Sequence, residues 1–320
     1  MLVLVAPGQG AQTPGFLTPW LDLPGVSARL AEWSAVSGLD LVHYGTEADA
    51  DAIRDTAVAQ PLLVAAGLVS ARALFDDPAA DIPRLVGAAA GHSVGELTAA
   101  ALTGVLSETD AIALVRKRGL AMAEAAAVTE TGMSAVLGGD HEQVVAHLTK
   151  LGLAPANVNG AGQIVAAGTA EQLAALAEDR PEKARVMPLK VAGAFHTHHM
   201  APAVAAMEDA VGALTVHDPH TPYVSNRDGQ TVKSGRDVVR RLAGQVSNPV
   251  RWDLCMETFK ALGVTALIEV SPAGTLTGLA KRALPGVKTL ALKTPDHIEA
   301  ARELIAEHAG PSAEQERSSR

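Results

Sequence analysis

The feature that most restricts how this chain can fold is the segment Gly91-His92-Ser93-Val94-Gly95. An apolar run over residues 85–90 precedes it and indicates a buried strand, and a helical apolar pattern over residues 96–105 follows it. A G-x-S-x-G segment between a strand and a helix is typical of a nucleophile elbow, whose sharp turn exposes the serine hydroxyl. Both glycines are needed because a side chain there would collide with the neighbouring strand or cover the hydroxyl. The sequence therefore predicts Ser93 as a nucleophile beside a helix N-terminus that can stabilise an oxyanion.

Composition excludes several other classes of protein. The 320 residues are 48% apolar and 19% charged, which is typical of a soluble globular chain of about two domains. Only 3% of residues are aromatic and the net charge is −9, so we expect no nucleic-acid partner. The single cysteine, Cys255, permits no intrachain disulfide and no cysteine-based zinc cluster. The apolar N-terminal run Leu2–Ala6 is too short for a signal peptide, and no stretch resembles a membrane span, so we expect a cytoplasmic protein.

The alternation of strand-like and helical segments predicts the fold class. Over residues 1–130 and 192–309 the alternation indicates a mostly parallel sheet covered by helices, and we expect an α/β-hydrolase-like large domain there. Residues 131–191 change to the order β-α-β-β-α-β, which indicates an inserted ferredoxin-like subdomain. Residues 310–320 are polar and without pattern, and we expect a disordered tail. One helix in the large domain is predicted to open at Gln60-Pro61, with the proline in its first turn.

Arg118 lies on the apolar stripe of a helix predicted over Glu108–Ala126. A buried guanidinium needs an anionic partner, because an unpaired buried charge is costly. Two interpretations remain open at this point. Arg118 either forms a structural salt bridge with an acidic residue elsewhere, or it binds a substrate carboxylate through its planar pair of donors.

A serine nucleophile needs a base, and a cluster of histidines follows a glycine-rich turn near a domain junction. The candidates are His196, His198 and His199, and their spacing does not choose among them. A metal site at this His-x-His-His segment is disfavoured, because no carboxylate lies nearby in the sequence. His92 adjoins the serine but should point in another direction. No acidic residue between Ser93 and His196 follows a strand of the main sheet, so a backbone carbonyl is a candidate for orienting the base.

A series of motifs in a fixed order along the chain indicates a known family. It resembles the malonyl-CoA:acyl carrier protein transacylases of type II fatty acid synthesis and the malonyl-selecting acyltransferases of polyketide synthases. The matching segments span nearly the whole chain: Gly8-Gln9-Gly10-Ala11-Gln12, Gln60-Pro61, Gly91-His92-Ser93-Val94-Gly95-Glu96, Leu114-Val115 to Arg118-Gly119 with Met122, Asn157-Val158-Asn159, Gly162-Gln163-Ile164-Val165, Gly193-Ala194-Phe195-His196-Thr197, Gln245-Val246-Ser247-Asn248-Pro249-Val250 and Gly274-Thr275-Leu276-Thr277-Gly278-Leu279.

The resemblance implies a role for each matching residue. Ser93 would be the acyl-accepting nucleophile, His196 its base, and Gln245 would hold His196 through its backbone carbonyl. Arg118 would bind the malonyl carboxylate. The oxyanion-hole N–H groups would come from Gln9 and Val94, and further substrate contacts from His92, Met122 and Asn157. Val94 after the serine and Ala194-Phe195 before the histidine match malonyl-selective rather than methylmalonyl-selective relatives.

The resemblance also implies partners. We expect malonyl-CoA as a substrate, acyl carrier protein as the acceptor, a monomeric enzyme, and no metal or bound cofactor. Because carrier proteins are acidic, docking should use basic residues, for which the candidates are Lys190, Lys281, Arg282 and Arg72. Two alternative functions stay open. One is a serine esterase or thioesterase, and the other is a non-catalytic acyl-CoA-binding scaffold of the same fold.

Overall fold

The computed structural model describes residues 1–191 and 193–309, which form a mixed α/β fold with two sheets. The predicted tail, residues 310–320, lies outside the described residues. The strands are β1 Leu2–Ala6, β2 Ala88–Gly91, β3 Thr131–Gly138, β4 Ala154–Gly160, β5 Gln163–Thr169, β6 Ala184–Pro188, β7 Tyr223–Val224, β8 Thr231–Val232, β9 Val250–Arg251, β10 Ala266–Glu269 and β11 Lys288–Ala291. The helices are α1 Val26–Ser37, α2 Leu41–Thr46, α3 Thr56–Leu74, α4 Pro78–Leu85, α5 Gly95–Leu102, α6 Glu108–Ala126, α7 His141–Lys150, α8 Ala170–Glu178, α9 Ala201–Gly212, α10 Gly235–Gln245, α11 Trp252–Ala261, α12 Thr275–Ala283 and α13 Ile298–His308.

The first sheet has six strands in the order β11-β10-β1-β2-β7-β8. Every pairing is parallel except that of β7 with the edge strand β8. All five residues of β1 are buried, because this central strand is covered on both faces. In its register Val3 lies opposite Ala88 and Leu2 lies opposite Ala266. The carboxyl ends of β1 and β2 therefore lie side by side, and the functional site forms there.

The second sheet has five strands in the order β6-β3-β5-β4-β9. The predicted order of elements, β-α-β-β-α-β, is observed as β3, α7, β4, β5, α8 and β6. These four strands pair antiparallel. The fifth strand, β9, comes from a later part of the chain and pairs parallel with β4, with Asn157 opposite Val250. The second sheet is therefore extended by a strand from outside residues 131–191.

Helix α3 is a core helix that corrects one prediction. It begins at Thr56, with the Asp55 side chain accepting a hydrogen bond from the Ala57 N–H at 2.7 Å, so Pro61 lies inside the helix and not in its first turn. By length and hydropathy alone this helix could cross a membrane, but 83% of its apolar window is buried inside the protein. Its apolar composition is therefore explained by packing within the core.

The predicted elbow is present between β2 and α5. The strand begins only at Ala88, because Leu85 ends α4, and helix α5 ends at Leu102. A Cβ on Gly95 would lie 2.2 Å from the carbonyl oxygen of Ala6 in β1, and one on Gly91 would lie 1.9 Å from the backbone of Gly95. The predicted requirement for both glycines is confirmed. Ser93 itself has a φ of 52°, a left-handed conformation that a non-glycine residue adopts only when its surroundings enforce it.

Candidate active site

The structure brings Ser93 and His196 into direct contact. The Oγ atom of Ser93 lies 2.7 Å from Nε2 of His196, although 103 residues separate them in the sequence. Nδ1 of His196 lies 2.9 Å from the carbonyl oxygen of Gln245. Because a carbonyl can only accept, Nδ1 must carry the proton, and Nε2 presents its lone pair to the serine hydroxyl. This pair has the geometry of an activated nucleophile with its base oriented by a backbone carbonyl.

His196 is held in its neutral form. Burial, and after it the positive charge of Arg118, lower the pKa of His196 to about 3. The imidazole is therefore free to accept a proton at neutral pH. The two other clustered histidines, His198 and His199, stack with ring centroids 4.1 Å apart and do not line the cleft at Ser93.

Arg118 is buried, with 1% of its surface exposed, and reaches the nucleophile. Its Nη1 donates to Oε1 of Gln60 at 2.6 Å, and its Nη2 donates to Oε1 of Gln245 at 2.7 Å. Nη2 also lies 3.3 Å from Oγ of Ser93. Burial lowers the pKa of Arg118 to about 10, so the group remains charged at neutral pH.

The partners of Arg118 bear on the two interpretations of this residue. Within residues 1–191 and 193–309 it forms no ion pair with a carboxylate, and its Nε–H has no hydrogen-bond partner. Two neutral amide oxygens position the guanidinium without neutralising it. A buried cation with an unused donor beside a nucleophile is suited to receive an anionic part of a substrate.

A buried polar cluster supports the elbow from behind. Nε2 of Gln245 donates to the carbonyl oxygen of Ser93 at 3.0 Å and to Oε2 of Glu96. Oε1 of Glu96 accepts from the backbone N–H of Asn226 at 2.7 Å. The Asn226 side chain in turn accepts from the Ser93 N–H at 2.8 Å and donates to the Gly91 carbonyl at 2.7 Å. These contacts stabilise the left-handed conformation of Ser93.

The nucleophile opens into a small cleft of about 60 Å³. All the predicted oxyanion and substrate residues line it: Gln9, His92, Val94, Arg118, Met122 and Asn157. Gly8 approaches the elbow so closely that an added Cβ would lie 2.9 Å from Nδ1 of His92. The cleft also contains Phe195, which the resemblance links to malonyl selection, and three residues without a predicted role in the site, namely Gln60, Met133 and Val191.

Three predicted residues on the cleft wall have distinct surroundings. His92 lies 2.8 Å through Nε2 from Oδ1 of Asn159, and its ring packs edge-on against Trp252. Loss of solvation lowers the pKa of His92, which keeps it neutral. Oδ1 of Asn157 is buried and has no hydrogen-bond partner among the residues that the structure describes. Sδ of Met122 accepts from Nε2 of Gln60 at 3.5 Å.

The four predicted docking residues have different surroundings. Arg72 forms an ion pair with Glu108 at 2.8 Å. Lys281 and Arg282 are exposed at the end of α12. Lys190 is exposed and lines a cleft of about 360 Å³ that also includes Gln9 and Val191, two residues of the catalytic cleft. Of the four, only Lys190 lines an opening that adjoins the nucleophile.

Three residues that support the site had no predicted role. Gln60 positions Arg118, while Glu96 and Asn226 hold Gln245 and the elbow. A signal for Glu96 exists in the sequence, because it is a carboxylate in an otherwise apolar stretch directly after the elbow. For Asn226 the sequence offers no comparable signal, since its partners are 130 or more residues away. Among the described residues no group of three or more His, Cys, Asp or Glu side chains could hold a metal ion.

Comparison with known proteins identifies the family. The acyl transferase domain family matches residues 3–300. The malonyl CoA-acyl carrier protein transacylase of Mycobacterium tuberculosis is 50% identical over 299 residues, covering 93% of this chain and 98% of its own length. The crystal structure of MCAT from the same organism has a TM-score of 0.90 at 50% identity, covering 94% of this chain and 99% of that one. The solved structure of a type II polyketide-synthase acyl carrier protein in complex with its malonyl transacylase has a TM-score of 0.85 at 30% identity, covering 95% of this chain and 99% of that one. The chain belongs to the acyl transferase family, among the malonyl-CoA:acyl carrier protein transacylases.

Proposed function

We propose that this protein transfers a malonyl group from malonyl-CoA to the phosphopantetheine thiol of acyl carrier protein through an acyl-serine intermediate. The observation that carries the proposal is the position of Arg118, whose charged Nη2 lies 3.3 Å from the nucleophilic Oγ of Ser93. A three-carbon acyl group attached to that oxygen would bring its free carboxylate back toward the guanidinium. The relatives from Mycobacterium tuberculosis are malonyl-CoA:acyl carrier protein transacylases, which supports the same activity.

The first half-reaction forms the acyl-enzyme. His196 Nε2 takes the proton as Ser93 Oγ attacks the thioester carbonyl, and the His196 Nδ1–H is held throughout by the Gln245 carbonyl. The backbone N–H groups of Gln9 and Val94 are proposed to bind the oxyanion, since both residues line the cleft beside Ser93. Collapse of the tetrahedral intermediate returns the proton from His196 to the departing coenzyme A thiol.

The second half-reaction uses the same groups in reverse. The carrier thiol gives its proton to His196 and attacks the O-malonyl-serine ester, and the proton then returns to Ser93 Oγ. The acyl-enzyme has to survive until this thiol arrives, so water must be kept from the ester. The small size of the cleft supports this requirement. The prediction that neither a metal nor a bound cofactor takes part remains a prediction.

The two alternative functions find less support. Hydrolases of the Ser-His-acid type orient the base with a carboxylate, whereas Nδ1 of His196 faces a carbonyl oxygen. A hydrolase also has no need of a buried cation beside its nucleophile. A non-catalytic scaffold would have no need of the Ser93–His196 contact or of the strained serine backbone.

We also propose the finer description of the fold. Residues 1–130 and 192–309 would form an α/β-hydrolase-like domain, and residues 131–191 an inserted ferredoxin-like subdomain. The parallel order of the first sheet and the antiparallel strand order β6-β3-β5-β4 support this division. Asn157 and Met133 of the proposed insert would then close the cleft over Ser93. We expect the protein to act as a monomer in the cytoplasm.

A discharge assay tests the proposed function. The protein is incubated with malonyl-CoA, alone or with phosphopantetheinylated acyl carrier protein, and the release of coenzyme A is followed. A transacylase releases about one equivalent with malonyl-CoA alone and turns over continuously when the carrier is added. Continuous release of free malonate without a carrier would identify a hydrolase instead, and no release in either case would favour the scaffold.

A further inference from the structure

Glu96 has a hydrogen-bonding pattern that a carboxyl group satisfies and a side-chain amide does not. Its Oε1 accepts from the Asn226 N–H at 2.7 Å, and its Oε2 accepts from Nε2 of Gln245. The residue is 1% exposed, so solvent does not replace either contact. An amide in its place would direct an NH₂ group at one of the two donors. The geometry therefore specifies a carboxyl group and not an amide, at a position that touches neither Ser93 Oγ nor His196.

The contacts with Glu96 and with the Ser93 carbonyl together determine which way the Gln245 amide faces. Nε2 of Gln245 donates to Glu96 and to the Ser93 carbonyl, which leaves Oε1 facing the opposite side. That oxygen accepts from Nη2 of Arg118 at 2.7 Å. If the amide were reversed, its NH₂ group would oppose the guanidinium. The orientation of Arg118 beside Ser93 thus depends on a carboxylate that Arg118 does not touch.

The same arrangement balances charge. Arg118 forms no direct ion pair within the part of the chain that the structure describes, and Glu96 is the carboxylate placed one amide away from it. A direct ion pair would occupy the guanidinium donors. The intervening amide takes one N–H of Nη2, and the Nε–H has no partner among the described residues, so donors of the guanidinium remain for a substrate carboxylate.

We infer that Glu96 is a positioning residue for acyl selection, which acts through the side chain of Gln245 to aim Arg118 at the free carboxylate of the malonyl group. The inference rests on the proposed function. Gln245 then has two separable parts. Its backbone carbonyl orients His196, which every acyl group requires, and its side chain relays Glu96 to Arg118, which only a carboxylated acyl group requires.

The test measures kcat/KM for malonyl-CoA and acetyl-CoA, with melting temperatures, for the wild type and Glu96→Gln. Malonyl transfer should fall by about 10- to 100-fold, the usual effect of disturbing a hydrogen bond to a charged group, and acetyl transfer by less than about threefold. In an Arg118→Ala background, Glu96→Gln should cost malonyl transfer less than about threefold, because residues that act through one another are not additive. Parallel losses for the two substrates, or full additivity with Arg118→Ala, would overturn the inference.

Glu269 offers a matched control. It is also a fully buried carboxylate, and it accepts from the backbone N–H groups of Gly274, Leu276 and Thr277 at 2.8 to 3.0 Å. Glu269→Gln should lower the melting temperature without changing the malonyl-to-acetyl ratio. A similar change of the ratio in this variant would show that selection responds to any buried charge, and would contradict the specific role of Glu96.

A second variant keeps the inference testable if Glu96→Gln does not fold. Gln245→Ala removes the relay but retains the backbone carbonyl that holds His196, so malonyl kcat/KM should fall more than acetyl kcat/KM. A preserved malonyl-to-acetyl ratio in Gln245→Ala would overturn the inference. If the wild type itself transferred no malonyl group to carrier protein, the proposed function would fail instead.

Discussion

Nη2 of Arg118 lies 3.3 Å from Oγ of Ser93, which places a buried cation next to the nucleophile. The two residues come from the middle of α6 and from the elbow before α5, and Gln245 contacts both of them. Chemistry and acyl selection therefore share one small cluster of side chains. Substitutions in this cluster can therefore be designed to separate effects on the chemical step from effects on acyl selection.

Replacement of Arg118 by alanine should change which acyl group is transferred. A charge-assisted hydrogen bond contributes about 1.5–3 kcal/mol, so malonyl kcat/KM should fall about 10- to 150-fold. Acetyl kcat/KM should change little, because an acetyl group has no carboxylate to bind. Measuring kcat/KM for both substrates, together with the melting temperature of the variant, checks this prediction. A proportional loss of both activities with a lower melting temperature would instead indicate a structural role.

Replacement of His196 by alanine should slow transfer by a factor of about 10² to 10⁴, the usual contribution of a general base. The matched variants His198→Ala and His199→Ala should retain nearly full activity, since neither side chain lines the cleft. Steady-state rates with saturating carrier protein provide the comparison. A large loss in either matched variant, with His196→Ala still active, would show that the base is misassigned.

Stability and activity should respond to pH in opposite directions because of Glu96. Burial raises its pKa from 4.5 to about 7. The pKa of Glu96 is higher in the folded than in the unfolded state, so protonated Glu96 contributes to the free energy of unfolding. This contribution is full below about pH 4.5 and is lost as the pH rises through about 7. Ionisation of Glu96 thus costs the fold about 3 kcal/mol. The other titratable groups facing it keep their charge state, since burial raises the pKa values of Tyr223 and Cys255 and Arg118 stays protonated.

The measurement is the melting temperature of the wild type and Glu96→Gln between pH 5 and 8, with malonyl kcat/KM at each pH. Relative to the variant, the wild type should lose stability and gain activity as the pH rises. The depressed pKa of His196 has the reverse effect on stability below about pH 6.5, but it acts in both proteins and cancels in the comparison. Identical pH profiles for the two proteins would contradict this prediction.

Carrier docking should depend on exposed basic residues that lie outside the catalytic cluster. Lys190→Glu and the double variant Lys281→Glu/Arg282→Glu should raise the KM for acyl carrier protein, because the carrier is expected to be acidic. The KM for malonyl-CoA should stay unchanged. Arg72 is already paired with Glu108, and Arg72→Glu should therefore have the smaller effect. Equal changes in both KM values would show that these residues act on the thioester site and not on docking.

Local patterns predicted most of the elements that build the site. The elbow, α6 with its buried arginine and the β-α-β-β-α-β segment follow from periodicity and glycine spacing, which depend on neighbouring residues. The start of α3 was misplaced, because Pro61 resembles a first-turn proline and Asp55 was not recognised as the N-cap. Helices α2, α4, α11 and α13 have no counterpart among the predicted helices.

Long-range contacts explain what the sequence could not provide. Nothing local shows that Gln60, in α3, would hold Arg118, or that Glu96 would face Gln245 across 149 residues. Spacing does not choose His196 among the three histidines; the resemblance implies this choice, and the fold places the His196 ring against the elbow. Residue type and spacing identify candidate groups, whereas hydrogen-bond partners across the sheet determine what each group can do.

The central claim is that Ser93 carries the malonyl group, and intact-mass analysis tests it most directly. The wild type is mixed with malonyl-CoA, measured, then mixed with phosphopantetheinylated carrier protein and measured again, beside Ser93→Ala. We predict a mass increase of one malonyl group, located on Ser93 by peptide mapping, absent from Ser93→Ala and lost when the carrier is added. A malonyl adduct that persists in Ser93→Ala, or a wild type that never acquires one while the carrier is acylated, would contradict the account.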